Sequence, residues 1–304
     1  MSASAGALPI GPPGAERARA EPAPGAAAPA DRAEYLIAPP PRWPRPRLAE
    51  LWTARDLLRF LVWRDVKVRY AQTALGAGWA VLQPVMAMVV FTVIFGRFAR
   101  VPSDGAPYAA FSLAALVPWT FFASALTGAS NSLVLHTHLL TKIYLPRLTI
   151  PVSPVLAALI DFGVAFVVLL LLLAGYRIAP SPWTVVMLPV LLLLVATTAA
   201  GVGSWLAALH VQYRDVRHLA PFLLQVWMYA SPVVYPTTIV PRRYRLLYAL
   251  NPMAGVIDTF RALLLGTGPV PWTELLVGGA SGAVMLAGGV LYFRHVERVF
   301  ADVA

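Results

Sequence analysis

The sequence predicts an all-α polytopic membrane protein with six transmembrane helices, and three observations predict it. Of its 304 residues, 59% are hydrophobic and only 12% are charged, about half the charge of an ordinary soluble domain. Mean hydropathy is +0.68. Several apolar runs reach the roughly 18 residues that cross a bilayer. The net charge of +10 suits cytoplasmic loops facing anionic lipid better than it suits nucleic acid. The absence of cysteine excludes disulfides, thiolate nucleophiles and Cys-based metal sites.

Residues 1–50 form an arm rich in Pro, Ala and Arg, holding eleven of the 28 prolines. It carries too little apolar surface to order itself and has no apolar core of a secretory signal, so it reads as a disordered cytoplasmic arm. Residues 51–78 predict an amphipathic helix. Thr53 and Asp56 fit a capping box. Leu57, Leu58, Leu61 and Trp63 can share an apolar side, while Arg55, Asp56, Arg59, Arg64, Asp65, Lys67 and Arg69 supply charge. Such a segment can lie along the membrane surface, or it is an ordinary basic helix beside the first span.

The spans occupy residues 79–304. Span one runs over 79–95 with a kink at Gln83-Pro84, and span two over 108–133 with Pro118-Trp119 inside it. Span three covers 148–175, span four 183–209, span five 219–234 and span six 274–293. With the N-terminus inside, segments beyond residue 50 place eleven Lys and Arg on the cytoplasmic side against seven outside, the expected bias. Both termini are then cytoplasmic. Four of the outer seven, Arg242, Arg243, Arg245 and Arg261, fall between spans five and six. That segment therefore needs an explanation of its own.

The only lysines, Lys67 and Lys142, do not follow a glycine, so a Gly-Lys phosphate-binding loop is impossible. His136 and His138 have no carboxylate close in sequence, and no metal site is expected. No acid–base pair or nucleophile motif is present, so no catalytic residue is expected. Asp161 is the one clear acid inside a span. An ionisable group at that depth asks for a role, and the neighbouring spans offer no cationic partner. A hydrogen-bonded structural role is favoured over a place on a path.

The stretch 210–252 departs most from a plain span. It begins with the charged patch 213–218, continues through Phe222, Trp227 and Tyr229, and is broken by Ser231-Pro232 and Tyr235-Pro236 before ending at Asn251-Pro252. Proline frees backbone groups that lipid cannot satisfy. Either the helix is kinked before a loop, or protein or water surrounds a break at membrane depth.

Five blocks, 63–97, 116–134, 139–162, 209–236 and 247–266, stand in the order and spacing of a known family. Over roughly 52–298 the chain resembles the type-2 permease subunits of ABC transporters that export O-antigen, capsule or teichoic-acid polysaccharides. The resemblance implies an interface helix, six spans, re-entrant or short outer helices between spans five and six, and a homodimer. It further implies two copies of a separate ATPase subunit, which would hold ATP and Mg, and a lipid-linked polysaccharide moved across the inner membrane of a bacterium. By the same resemblance Lys142, Ile143, Tyr144, Leu145, Pro146 and Arg147 form the first ATPase-coupling loop. Tyr213, Arg214, Asp215 and Arg217 belong to the second, and Asn251-Pro252 to the outer gate. Trp119, Phe121, Phe122, Trp227, Tyr229 and Tyr235 could line a glycan path, since aromatic faces pack on sugar C–H faces. An aromatic belt at the interface is the alternative. A permease for a small drug or lipid, or an ATP-independent flippase or glycosyltransferase, are the rival functions.

Overall fold

The computed structural model describes residues 54–71, 78–136, 146–213 and 215–297. The arm 1–50 and Thr53 lie outside them. Among the described residues there are nine α-helices and no strand. They are α1 (Arg55–Tyr70), α2 (Gly78–Phe91), α3 (Tyr108–Leu135), α4 (Thr149–Gly175), α5 (Trp183–Gln212), α6 (Val216–Tyr229), α7 (Arg245–Ala249), α8 (Pro252–Leu265) and α9 (Trp272–Val296). A π-helical segment, Thr92–Phe98, prolongs α2, and two 3-10 turns precede α7.

Five of these elements are long and apolar enough to cross a membrane: α2 with its π-helical extension, α3, α4, α5 and α9. Their ends fall within a few residues of the expected spans one to four and six. The expected fifth span does not run to Val234. Its helix, α6, stops at Tyr229. Its 14 residues reach about 21 Å, short of the roughly 30 Å hydrocarbon core. Ser231-Pro232 ends it, because proline cannot donate into the helical ladder.

The middle of the fold is α3, which packs against α2, α4, α5, α6 and α8. Its 28 residues are apolar almost all round, the pattern of a helix buried on every side. Phe111, Phe121 and Phe122 are fully buried along it. By contrast α2 has Pro84 as its single buried residue. Large apolar side chains stay exposed on the outward sides of α4, α5 and α9, among them Leu171, Val185, Leu193, Leu276 and Val284. Lipid is the solvent in which such a surface is stable, and in water it would aggregate.

Helices α5 and α9 cross at Gly201 and Gly289. A Cβ at Gly201 would lie 2.5 Å from Leu286 Cα, and one at Gly289 would land inside the Gly201 backbone. Small residues at a crossing let membrane helices touch through their backbones. Gly289→Ala should therefore force the pair apart and lower stability by about 2–3 kcal/mol. Gly288→Ala should be neutral, since open space surrounds that position. Thermal melting of the two purified variants checks this.

The N-terminal helix begins at Arg55 with Ala54 before it, and the expected capping box rests on Thr53, which lies outside the described residues. Leu57 and Leu58 are half-buried on the side of Leu61, as expected, but one member of that side departs from it. Leu61 is buried, but Phe60, Trp63 and Val68 are exposed, so Trp63 does not share Leu61's side. Arg64 and Asp65 turn toward the end of α3 and the start of α4, and Arg69 toward the middle of α4. These contacts pair buried polar groups across three helices, which outweighs the local apolar pattern.

Candidate functional site

The break after α6 is held by side chains from three elements. Residues 231–234 are buried, so their freed carbonyls need donors. Arg261, on α8 and only 3% exposed, supplies most of them. Its Nη1 donates to the Pro232 and Tyr235 carbonyls at 2.6 and 3.3 Å, and its Nη2 to Val233 at 2.9 Å. Its Nε reaches the Phe111 carbonyl at 3.3 Å, and the guanidinium lies 3.5 Å from the Phe111 ring centroid. Tyr108 OH donates to the Val234 carbonyl at 2.7 Å, and the Ser231 carbonyl accepts from the Val233 N–H at 2.7 Å. Neither Arg261 nor Tyr108 was expected in this role. Arg261 was read as one of four outer arginines, yet it is an internal clamp. The sequence signal was there: a proline-broken apolar run leaves carbonyls without donors, and Arg261 is the one cation within the apolar helix that follows.

Asn251 ties the same break to the start of α8. Its Oδ1 accepts from the backbone N–H of Met253 at 3.0 Å and from Trp227 Nε1 at 2.8 Å. Its Nδ2 donates to the Ala230 carbonyl at 3.1 Å and to Ser231 Oγ at 2.8 Å. Asn251 is thus the N-cap of α8 and Pro252 its first residue, as the Asn-Pro pair suggests. Beside this knot lies a cavity of about 460 Å³ lined by Leu223, Val226, Trp227, Tyr244, Leu247, Tyr248 and Asn251. Tyr235 OH donates to the Tyr229 carbonyl at 3.0 Å and sits 3.2 Å from Tyr248 OH.

The six aromatics divide. Trp227 lines that cavity, Tyr229 is exposed and Tyr235 half-buried. Trp119 and Phe122 are core residues of the single chain. They are 5% and 0% exposed, and Phe122 packs edge-on against Trp227 at 4.9 Å. Their helix is the one surrounded on all sides, which takes both rings into the core. Phe121 is as buried, against Phe162 at 5.7 Å.

At the other end of α3 a polar network joins α1 to α3 and α4. Arg64 Nη2 lies 2.8 Å from Asp65 Oδ1 and 2.7 Å from His136 Nε2, while Ser153 Oγ donates to Asp65 Oδ2 at 2.7 Å. Asp161 accepts hydrogen bonds from Arg69 and Tyr70. The acid that had no cationic partner in its neighbouring spans finds one in the N-terminal helix.

Burial, and then the Arg64 charge, hold the His136 imidazole below its ordinary 6.5. The unfolded chain therefore takes this proton first as pH falls. The stabilisation is complete above about 6.5 and is lost as pH drops below it toward the folded value. Between pH 7.5 and 5.5 the melting temperature of the wild-type chain should fall more steeply than that of His136→Gln.

Of the expected coupling residues, Lys142, Ile143, Tyr144, Leu145 and Arg214 lie outside the described residues. Pro146 and Arg147 lead into α4, and Arg147 donates to the Glu297 carbonyl at the end of α9, its Nε 3.9 Å from the Glu297 carboxylate. Tyr213 and Arg217 are exposed on either side of the α5–α6 turn, and Asp215 precedes α6.

A family model described as ABC-2 type transporter matches residues 56–265. The chain is 33% identical over 255 residues to an O-antigen export system permease protein of Myxococcus xanthus, covering 83% of this chain and 97% of that protein. It is 25% identical over 248 residues to an O-antigen export system permease protein of Klebsiella pneumoniae, covering 82% and 95%. It is 22% identical over 204 residues to a polysialic acid transport protein of Escherichia coli, covering 66% and 78%.

Proposed function

Because the chain belongs to the ABC-2 type transporter family, we propose that it is the transmembrane permease subunit of an ATP-driven exporter of a lipid-linked polysaccharide. The observation that carries this reading is likeness to O-antigen export permeases over nearly their whole length. The chain lacks a Gly-Lys phosphate-binding loop, which supports a separate ATPase subunit, in two copies, as the holder of ATP and Mg. The chain itself is then a transport subunit, not an enzyme.

On this reading the inner membrane of a bacterium holds the chain with both termini cytoplasmic. Span five consists of α6 with the clamped turn 230–236, giving six crossings, and α7 with α8 forms the re-entrant outer element. Removing buried Arg261 from the outer arginines strengthens the charge bias that supports this orientation. Helix α1 lies at the interface with Phe60 and Trp63 toward lipid. Leu219, Phe222, Val226 and Tyr229 form an exposed stripe on α6 at helical spacing, a surface suited to a second copy of the chain. The glycan leaves past Trp227, Tyr229 and Tyr235, with Asn251-Pro252 at the outer gate. The 142–147 loop and residues 213–217 receive the ATPase.

Two measurements test the reading. The tagged chain, solubilised in detergent, should retain a separate P-loop subunit in equal amount with vanadate-sensitive ATP hydrolysis. A strain lacking the chain should lose its surface glycan. A chain that purifies without any ATPase, or a deletion that leaves surface glycan intact, would sink the proposal.

A further inference from the structure

A second opening shares no lining residue with the cavity beside Asn251. It is a cavity of about 560 Å³ between the end of α1, the start of α2 and the facing sides of α3 and α4, a size typical of small-molecule sites. Helix α3, buried elsewhere, turns a polar stripe this way. Thr120, Ser124 and Thr127 line the cavity at spacings of four and three, and Asn131 continues the row four residues on. Ser124 is exposed on a helix whose neighbours are core. The stripe runs over about 16 Å. Gln83 faces it from α2, and Trp79, Tyr70, Phe121 and Phe162 wall it.

The chemistry of the lining narrows the occupant. Among the described residues, Arg69 and Asp161 are the only ionic groups on it, and they bond to each other. No uncommitted charge is left for a phosphate or a metal ion. Among the described residues, the side chains of Gln83, Ser124 and Thr127 make no hydrogen bond within the protein, so they are available as donors and acceptors. Acyl chains would leave these groups unsatisfied at a cost. Hydroxyls and an amide beside flat aromatic faces instead match a neutral pyranose, whose edge is polar and whose C–H faces are apolar.

We propose that this groove is a saccharide subsite, taking one or two sugars of the glycan in the cytoplasmic half of the membrane before they pass to the exit. The proposal rests on the exporter reading and on the orientation given with it. It names a site within a single chain, separate from the aromatic cavity at the outer knot.

The chain has no cysteine, so Ser124→Cys carries one thiol. Its reaction rate with N-ethylmaleimide is compared in ATP-free membranes from two strains, both with the cognate ATPase. One strain makes the glycan, and the other lacks the enzyme that attaches the first sugar to the lipid carrier. The expected result is several-fold slower labelling where glycan is made, with the same effect at Gln83→Cys and none at Val90→Cys on the exposed side of α2. Equal, rapid labelling in both strains overturns the subsite. Slow labelling in both also overturns it, because the groove is then filled by membrane lipid. Surface glycan in the deletion strain is scored separately. Retained glycan sinks the exporter reading, whereas lost glycan with equal labelling sinks only the subsite.

Discussion

Arg261→Ala should yield a chain that inserts but does not hold its fold in detergent. The substitution removes donors to four carbonyls on two elements, Phe111 before the middle of α3 and Pro232, Val233 and Tyr235 in the broken turn. These carbonyls are buried, and neither lipid nor water replaces the guanidinium. A hydrogen bond from a charged donor is worth about 1.5–3 kcal/mol. The four are not additive, yet a combined loss on the order of 5 kcal/mol is expected, comparable to the stability margin of many proteins. Arg261→Lys separates geometry from charge. It keeps the cation but presents a single nitrogen, which cannot span both elements or lie flat over the Phe111 ring. An intermediate melting temperature is expected for Lys. Size-exclusion profiles and melting curves of wild type, Lys and Ala should order accordingly, and a Lys variant as stable as wild type would show that charge alone suffices.

The contrast between these residues and the long spans shows what a sequence makes legible. The helices α3, α4, α5 and α9 were readable because each is a long apolar run closed by polar or proline-containing turns, a signal local to the segment. Asn251 as a cap was readable for the same reason, since its proline neighbour sits beside it. The end of α6 was not. The chain stays mostly apolar from Leu219 to Val234, and although Ser231-Pro232 marks a break, hydropathy does not distinguish a kinked helix from a buried turn whose carbonyls are bonded by residues far away. Arg261 meets its acceptors across 26 to 150 positions, and Arg69 meets Asp161 across 92. The same limit hid the burial of Trp119 and Phe122. A helix apolar on all sides gives no periodicity from which to tell core from path.

Asp161→Asn should weaken the tie between the N-terminal helix and α4 and, on the exporter reading, raise ATP hydrolysis that moves no glycan. Removing the carboxylate charge leaves Arg69 facing a neutral amide at membrane depth. Breaking a fully buried pair by removing one partner costs about 3–5 kcal/mol. The side chains here keep 31% and 21% of their exposure, so a smaller loss, about 1–3 kcal/mol, is expected after screening. Helix α1 would still hold through Leu61 and through Asp65 with Ser153, so the chain should fold. What changes is the lever. Helix α1 reaches α4 at both Ser153 and Asp161, two turns apart, and also reaches His136 at the end of α3. With both ties intact, α1 and α4 move as one body. With the Asp161 tie cut, the end of α1 can move while the middle of α4 stays. Arg69→Gln should show the same uncoupling, and the double variant Arg69→Gln/Asp161→Asn should be no worse than either alone, because the stranded charge is gone. Reconstituted ATPase activity measured against surface glycan decides it. Additive losses in the double variant would mean that the two residues act separately and that this pair is not the lever.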